Sequence, residues 1–257
     1  MLHLRQICLA ESELEPAISD LAAILAAPIC VRDFHVDIYG LTNALVALGS
    51  DFIEIVAPIE ENTAVRRFLG KSGGRGAYMA IFQCDDPERR QRHVGALGVR
   101  TPHIIDRPEY RNVQLHPKDC RATILEFARN GDYSADDWWP AGPDWRGVVD
   151  GKENLPELLG VVIESPDPGG LARLWSEIIE LPLQKSGGAL FIAVNGRRLT
   201  FSPGDGERVS ALMVSVDDPS RALDEARRRG RSVLADGFRL AGVDFILSER
   251  GGSRRHA

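Results

Sequence analysis

Ile81-Phe82-Gln83-Cys84-Asp85-Asp86-Pro87 and Met213-Val214-Ser215-Val216-Asp217-Asp218-Pro219 are the two stretches from which the fold can be read. Each is an apolar run entering Asp-Asp-Pro, and each leads into a charged segment that ends at a glycine, Gly98 or Gly230. The offset is therefore 132 residues at both ends. Physically this is a strand followed by a helix. Asp accepts from the free N–H groups of a first turn, Pro suits the first helical position, and Gly closes the helix where φ turns positive. One unit is used twice.

Working outward, each of these units has a relative nearer the start of its own half. Leu4 to Leu9 reads as a strand, followed by Ser12-Glu13-Leu14-Glu15, a capping-box pattern, and by Ile18, Leu21 and Leu25 at helical spacing. Leu158 to Ile163 is followed by Asp167-Pro168 and by Leu171, Leu174, Trp175 and Ile178 at i, i+3, i+4 and i+7. Short strands separated by Gly, Asn or Asp turns come next, among them Ala44 to Leu48, Asp51 to Ala57, Asn112 to Leu115 and Arg121 to Ala128. The pattern predicts an α+β protein of four tandem βαβββ modules forming two domains, 1-130 and 156-250. A linker rich in Trp and Pro at 131-155 joins them, and 251-257 is a tail.

Composition removes several function classes. The 257 residues carry 31 Lys and Arg against 37 Asp and Glu, a net charge of −6 and the wrong sign for a nucleic-acid partner. No apolar run reaches the roughly 18 residues that a membrane span needs, and the N-terminus lacks a signal-peptide pattern, so a cytoplasmic protein is expected. Cys8, Cys30, Cys84 and Cys120 show neither CxxC nor zinc spacing and are expected as reduced thiols.

Two glutamates stand out. Glu54 shares a strand face with Phe52 and Val56, and Glu126 shares one with Ala122 and Ile124; the opposite faces are also apolar. A carboxylate is rarely buried without a partner, because desolvating its charged form is costly. Either each pairs with an arginine such as Arg111 or Arg121, or the two face one polar site and raise each other's pKa, giving a general acid or base.

With Gln6-Ile7-Cys8-Leu9, Phe52 to Pro58, Gly76 to Pro87 and His116-Pro117 to Phe127, the four-module chain resembles the vicinal oxygen chelate superfamily. That superfamily includes glyoxalase I, methylmalonyl-CoA epimerase, extradiol dioxygenases and bleomycin-resistance proteins. The resemblance implies curved, cup-shaped mixed sheets and four metal-binding positions, which fall here on Gln6, Glu54, Met79 and Glu126. Gln6 to Met79 is 73 residues and Glu54 to Glu126 is 72. The family usually has His at the first and third positions, and without those histidines an extradiol dioxygenase is disfavoured. If a metal binds through Gln6, Glu54 and Glu126, three oxygens favour Mg²⁺ or Mn²⁺ over Zn²⁺, with Met79 a wall residue.

The resemblance implies a glyoxalase-like isomerase or lyase in which Glu54 and Glu126 move a proton next to the carbonyl of a small metabolite. Gln6, Met79, Arg111 and Tyr39 would contact substrate. The alternative is a non-catalytic binding protein of the bleomycin-resistance type. Either way the partner is a small molecule, and a homodimer is one of the oligomeric states left open. The Trp138, Trp139 and Trp145 cluster reads as packing between domains or as a lid, and Gly73 to Gly76 as a flexible link between modules. Cys120 beside Lys118 is weighed as an exposed thiol, and His116 to Cys120 as a hairpin turn. The second domain has Gly160, Leu199 or Thr200, Ala211 and Leu247 or Ser248 at its counterpart positions and reads as a structural or gating partner.

Overall fold

The computed structural model describes residues 1–131 and 137–251; 132–136 of the expected linker and 252–257 of the expected tail lie outside the described residues. The first half runs β1 (Leu2–Ala10), α1 (Ala17–Leu25), β2 (Ile29–Arg32), β3 (Leu41–Leu48), β4 (Asp51–Pro58), α2 (Ala64–Ser72), β5 (Met79–Cys84), α3 (Pro87–Ala96), β6 (His103–Asp106), β7 (Tyr110–Gln114), α4 (Pro117–Cys120) and β8 (Ile124–Asn130). Among its described residues the connecting segment holds a 3-10 turn at Trp139–Ala141 and one short α-helix, α5 (Trp145–Val149). The second half runs β9 (Glu157–Ser165), α6 (Pro168–Ile179), β10 (Leu183–Ser186), β11 (Ala189–Val194), β12 (Arg197–Pro203), β13 (Arg208–Val216), α7 (Pro219–Arg228), β14 (Gly237–Leu240) and β15 (Val243–Glu249).

The repeat seen in the sequence is a repeat of helix starts. Asp86 accepts the Arg89 N–H at 2.7 Å with Pro87 at the first helical position, and Asp218 accepts that of Arg221 at 2.9 Å behind Pro219. Asp167 does the same for Gly170. Gly98 and Gly230 lie beyond their helices at φ +79° and +70°. The expected capping box at Ser12 does not form. α1 opens instead behind Pro16 with no side-chain cap, and Glu15 turns to Ser19 and Arg32.

Each half makes one mixed, curved sheet, eight strands in the order β2-β3-β4-β1-β5-β8-β7-β6 and seven in the order β10-β11-β12-β9-β13-β15-β14. Within a sheet the two modules are related by a pseudo-twofold axis between their first strands. β1 pairs antiparallel with β5, and each first strand lies parallel to the last strand of its own module, β4 or β8. The fourth module is one strand short, since an isolated bridge at Val233 replaces it.

The helix sides of both sheets share a single apolar core. It runs from Leu4, Ile7 and Phe82 to Trp175, Leu212 and Phe245. Polar contacts cross it: the Trp175 indole donates to the Cys120 carbonyl at 2.8 Å, Arg90 to the Ile179 carbonyl at 2.9 Å, and Arg229 and Arg231 to buried Asp20. The glycine-rich link between the first two modules is packed against the second domain. Gly76 N–H donates to the Gly242 carbonyl, and a Cβ on Gly242 would stand 1.6 Å from the Gly74 oxygen. The second domain therefore backs the helix side of the first sheet. It contributes no residue to the opposite, concave side.

Candidate active site

The concave side of the first sheet holds a cavity of about 320 Å³. Period-2 alternation decides what faces it. On β1 and β4 these are Gln6, Cys8, Glu54 and Val56; on β5 and β8, Met79, Ile81 and Glu126; on β3 and β7, Asn43, Tyr110, Asn112 and Gln114. In the ladders Cys8 lies opposite Glu54, and Ile81 lies opposite Glu126. Two residues back from each stand Gln6 and Met79, at equivalent places about the pseudo-twofold axis.

Each glutamate is held by an asparagine on the next strand. The Asn43 side-chain oxygen accepts from the Phe34 backbone N–H at 3.0 Å, so its NH₂ must face Glu54, to which it donates at 2.7 Å. Across the axis, the Asn112 oxygen accepts from the Ile105 N–H at 2.8 Å and its NH₂ serves Glu126. Gln6 also donates to Glu54, at 2.8 Å, while Glu126 receives the Tyr110 hydroxyl at 2.7 Å and the Gln114 amide. Among the described residues neither carboxylate pairs with an arginine, which argues against the structural ion-pair reading.

Burial dominates the electrostatics. Desolvation pushes Glu126 up from the ordinary carboxylate value to about 7; donation by Tyr110, Asn112 and Gln114 pulls it down, and the Glu54 charge raises it further. Glu54 is raised for the same first reason, opposed by Asn43, Cys8 and Gln6. The Cys8 thiol and Tyr110 phenol are driven well up by burial and by these carboxylates, so both stay protonated.

The connecting segment roofs the cavity. Trp138 is fully buried and donates its indole N–H to the Gln6 side-chain oxygen at 2.6 Å. Trp139 stacks on Tyr110 with centroids 5.1 Å apart and on His35 at 4.7 Å, and Trp145 meets Phe52 edge-on at 5.1 Å. Trp139 thus lines the cup, with Trp138 and Trp145 packed beside it on Gln6, Tyr110 and Phe52, so the expected packing between domains is corrected in favour of the lid alternative.

The other expected residues divide. Met79 and Tyr39 line the cavity, and the Tyr39 hydroxyl lies 2.9 Å from His103 Nε2 at its mouth. Arg111 does not reach it. Its side chain leaves the opposite face of β7 and pairs with Glu88 of α3 at 2.9 Å and with Asp106, because odd and even positions of a strand face opposite ways. Arg121 pairs with Glu207. Cys120 is buried, its thiol pushed up to about 12 by desolvation, and the expected hairpin turn is the one-turn helix α4. Asn43, Asn112, Gln114, His35 and His103 are site residues that the sequence did not single out. The alternation Tyr110, Asn112, Gln114 beside Glu126 was the available signal.

The donor set does not fit the expected divalent ion. Trp138 has only an N–H to give and an ionised Glu54 can only accept, so the Gln6 oxygen must face Trp138 and its NH₂ must face Glu54. The oxygen assigned to a metal is thereby turned from the two carboxylates. Met79 offers a thioether, a poor ligand for a hard ion. Among the described residues no group of three or more His, Cys, Asp or Glu side chains is disposed to hold a metal. No helix of the described residues is long and apolar enough to cross a membrane.

No protein-family model matches the chain, and no curated protein matches it. Solved structures do. A hypothetical protein from Staphylococcus aureus superposes with a TM-score of 0.66 at 9% identity, covering 97% of this chain and 100% of the other. A triple mutant of 4-hydroxymandelate synthase from Streptomyces coelicolor gives 0.66 at 15% identity, covering 98% and 93%. Methylmalonyl-CoA epimerase from Mycobacterium tuberculosis matches about one half of the chain, at 24% identity, 49% and 86% coverage and a TM-score of 0.44.

Proposed function

We propose that this chain, which has the vicinal oxygen chelate fold, is an enzyme that moves a proton at a carbon next to the carbonyl of a small carbonyl or carboxylate compound. The observation that carries this reading is the matched pair of buried, asparagine-held carboxylates facing one roofed cavity, with Glu126 titrating near neutrality. At neutral pH Glu126 is present in both protonation states, the condition for efficient acid–base exchange. In the ionised state it takes the proton. The oxyanion formed on the substrate is received by neutral donors around the cavity, among them the amides of Asn112 and Gln114 and the Tyr39 hydroxyl at the mouth. Glu126, now protonated, returns that proton at the neighbouring atom for an isomerisation or gives it to the departing group for a lyase, while Glu54, from the other module, stays an ionised acceptor held by Gln6 and Asn43. Trp139 and Pro140 of the connecting segment line the cavity and limit the access of water to the intermediate. No metal takes part in this scheme, and a site inside a soluble cytoplasmic enzyme would suit it.

One observation favours a second reading, a binding protein. Both oxygens of Glu54 already accept protein hydrogen bonds, which weakens it as a base. The test is solvent exchange. A panel of small oxo acids and hydroxy ketones is incubated with the protein in D₂O, and loss of the α-proton signal is followed by NMR. Exchange that disappears in Glu126→Gln supports the enzyme. Ligand-induced shifts without exchange, in parent and variant alike, support the binding protein.

A further inference from the structure

A second cavity, about 650 Å³, adjoins the first on the other side of Tyr78 and Ala64, which line both. Its floor is Phe68, Tyr78 and Ile124, with the Phe68 and Tyr78 rings edge-to-face at 5.2 Å. Its rim is cationic. Helix α2 places Ala64, Arg67, Phe68 and Lys71 on one face, at helical spacing of three and four, so its two exposed cations look into the groove together. Lys118 on α4 also lines it. Arg121 closes one end, already neutralised by Glu207, the one carboxylate of the lining. Among the described residues no carboxylate pairs with Arg67, Lys71 or Lys118; Arg67 donates only to the Asn62 carbonyl. Cations left in excess around a recess, on a chain whose net charge is −6, create a local field opposed to that of the whole molecule.

We propose that this groove holds the phosphate-bearing arm of the same substrate whose reactive head lies between Glu54 and Glu126. The proposal deepens the functional reading above and rests on it for the identity of the head. Three cations from two elements lining one groove suit a diphosphate better than a single carboxylate, since arginine and lysine bind phosphate oxygens by charge-assisted hydrogen bonds. Tyr78 and Ala64, which line both cavities, set groove and cup side by side, so that one elongated molecule can lie against both.

The test uses the full chain and two probes, inorganic pyrophosphate and n-hexyl diphosphate, followed by isothermal calorimetry and amide NMR. Pyrophosphate is expected to shift resonances of residues 67–72 and 118–121. Its affinity should fall about tenfold in Lys71→Ala/Lys118→Ala, whose changes are on exposed side chains, and about tenfold again between 20 and 200 mM salt. Glu126→Gln should leave it unchanged. Hexyl diphosphate should bind at least about tenfold tighter than pyrophosphate, since two buried methylenes suffice for that, and should also shift Asn43 and Asn112. Pyrophosphate binding that ignores the double substitution overturns the groove. Equal affinity of the two probes makes it an independent anion site and overturns the link to the cup. Both expected results with no α-proton exchange would leave this proposal standing and remove the catalytic reading.

Discussion

The two domains place the same sheet topology in opposite circumstances. In the first, the concave face carries Gln6, Asn43, Glu54, Asn112 and Glu126 and is roofed by tryptophans of the connecting segment. In the second, the corresponding strands offer Gly160, Val162, Thr200, Met213 and Ile246, most of them partly exposed among the described residues. The opposite faces of both sheets are alike, closing one shared core. The difference teaches that twist and strand order supply a concavity and no more. A site needs polar side chains whose hydrogen bonds are fixed from behind, as the Phe34 and Ile105 amides fix Asn43 and Asn112, and a cover that keeps water out.

The strongest way to break the comparison is to remove the acid. Glu126→Gln is expected to reduce α-proton exchange by 10²- to 10⁴-fold, the usual worth of a positioned acid–base group, measured by NMR in D₂O. Next is stability against pH. The folded-state pKa of Glu126 is raised from 4.5 to about 7, so its contribution to stability is fully present below the ordinary carboxylate value and is lost as pH climbs through 7. Between pH 4 and 8 the parent should lose up to about 3 kcal/mol that Glu126→Gln keeps, read from urea unfolding at each pH. A parallel decline in the two proteins would show that Glu126 is not the titrating group.

A smaller effect tests the asparagine. Asn112→Ala withdraws one donor from Glu126 and should raise its pKa by about 1 unit, followed by carboxyl ¹³C chemical shift. Thr200→Glu, on the open face of the second sheet, should change unfolding free energy by no more than about 0.5 kcal/mol. Destabilisation of several kcal/mol there would mean that the second face is covered in solution, and the contrast between the domains would fail.

Much of the scaffold was legible in the chain. Asp-Asp-Pro and the closing glycines announce helix ends, because capping is a local event that neighbouring residues determine. Glu54 and Glu126 were legible as anomalies, charged groups on strands with two apolar faces. Their partners were not. Asn43 and Asn112 are ordinary residues until a neighbouring strand fixes their register, and register depends on pairing between distant segments. Arg111 was misplaced by one step of alternation, which on a strand is the whole difference between two faces. The roof was hardest to foresee, since Trp138 meets Gln6 across 132 residues of sequence.

That last contact redraws the smallest transferable piece of the molecule. The first sheet ends at Asn130, yet Gln6 takes its orientation from Trp138, and Trp145 packs on Phe52. A fragment cut at the edge of the sheet would keep both glutamates and lose the roof and the fixed amide. A chimaera that keeps the cup should therefore carry the joining segment to about residue 150 together with a second sheet able to close the shared core.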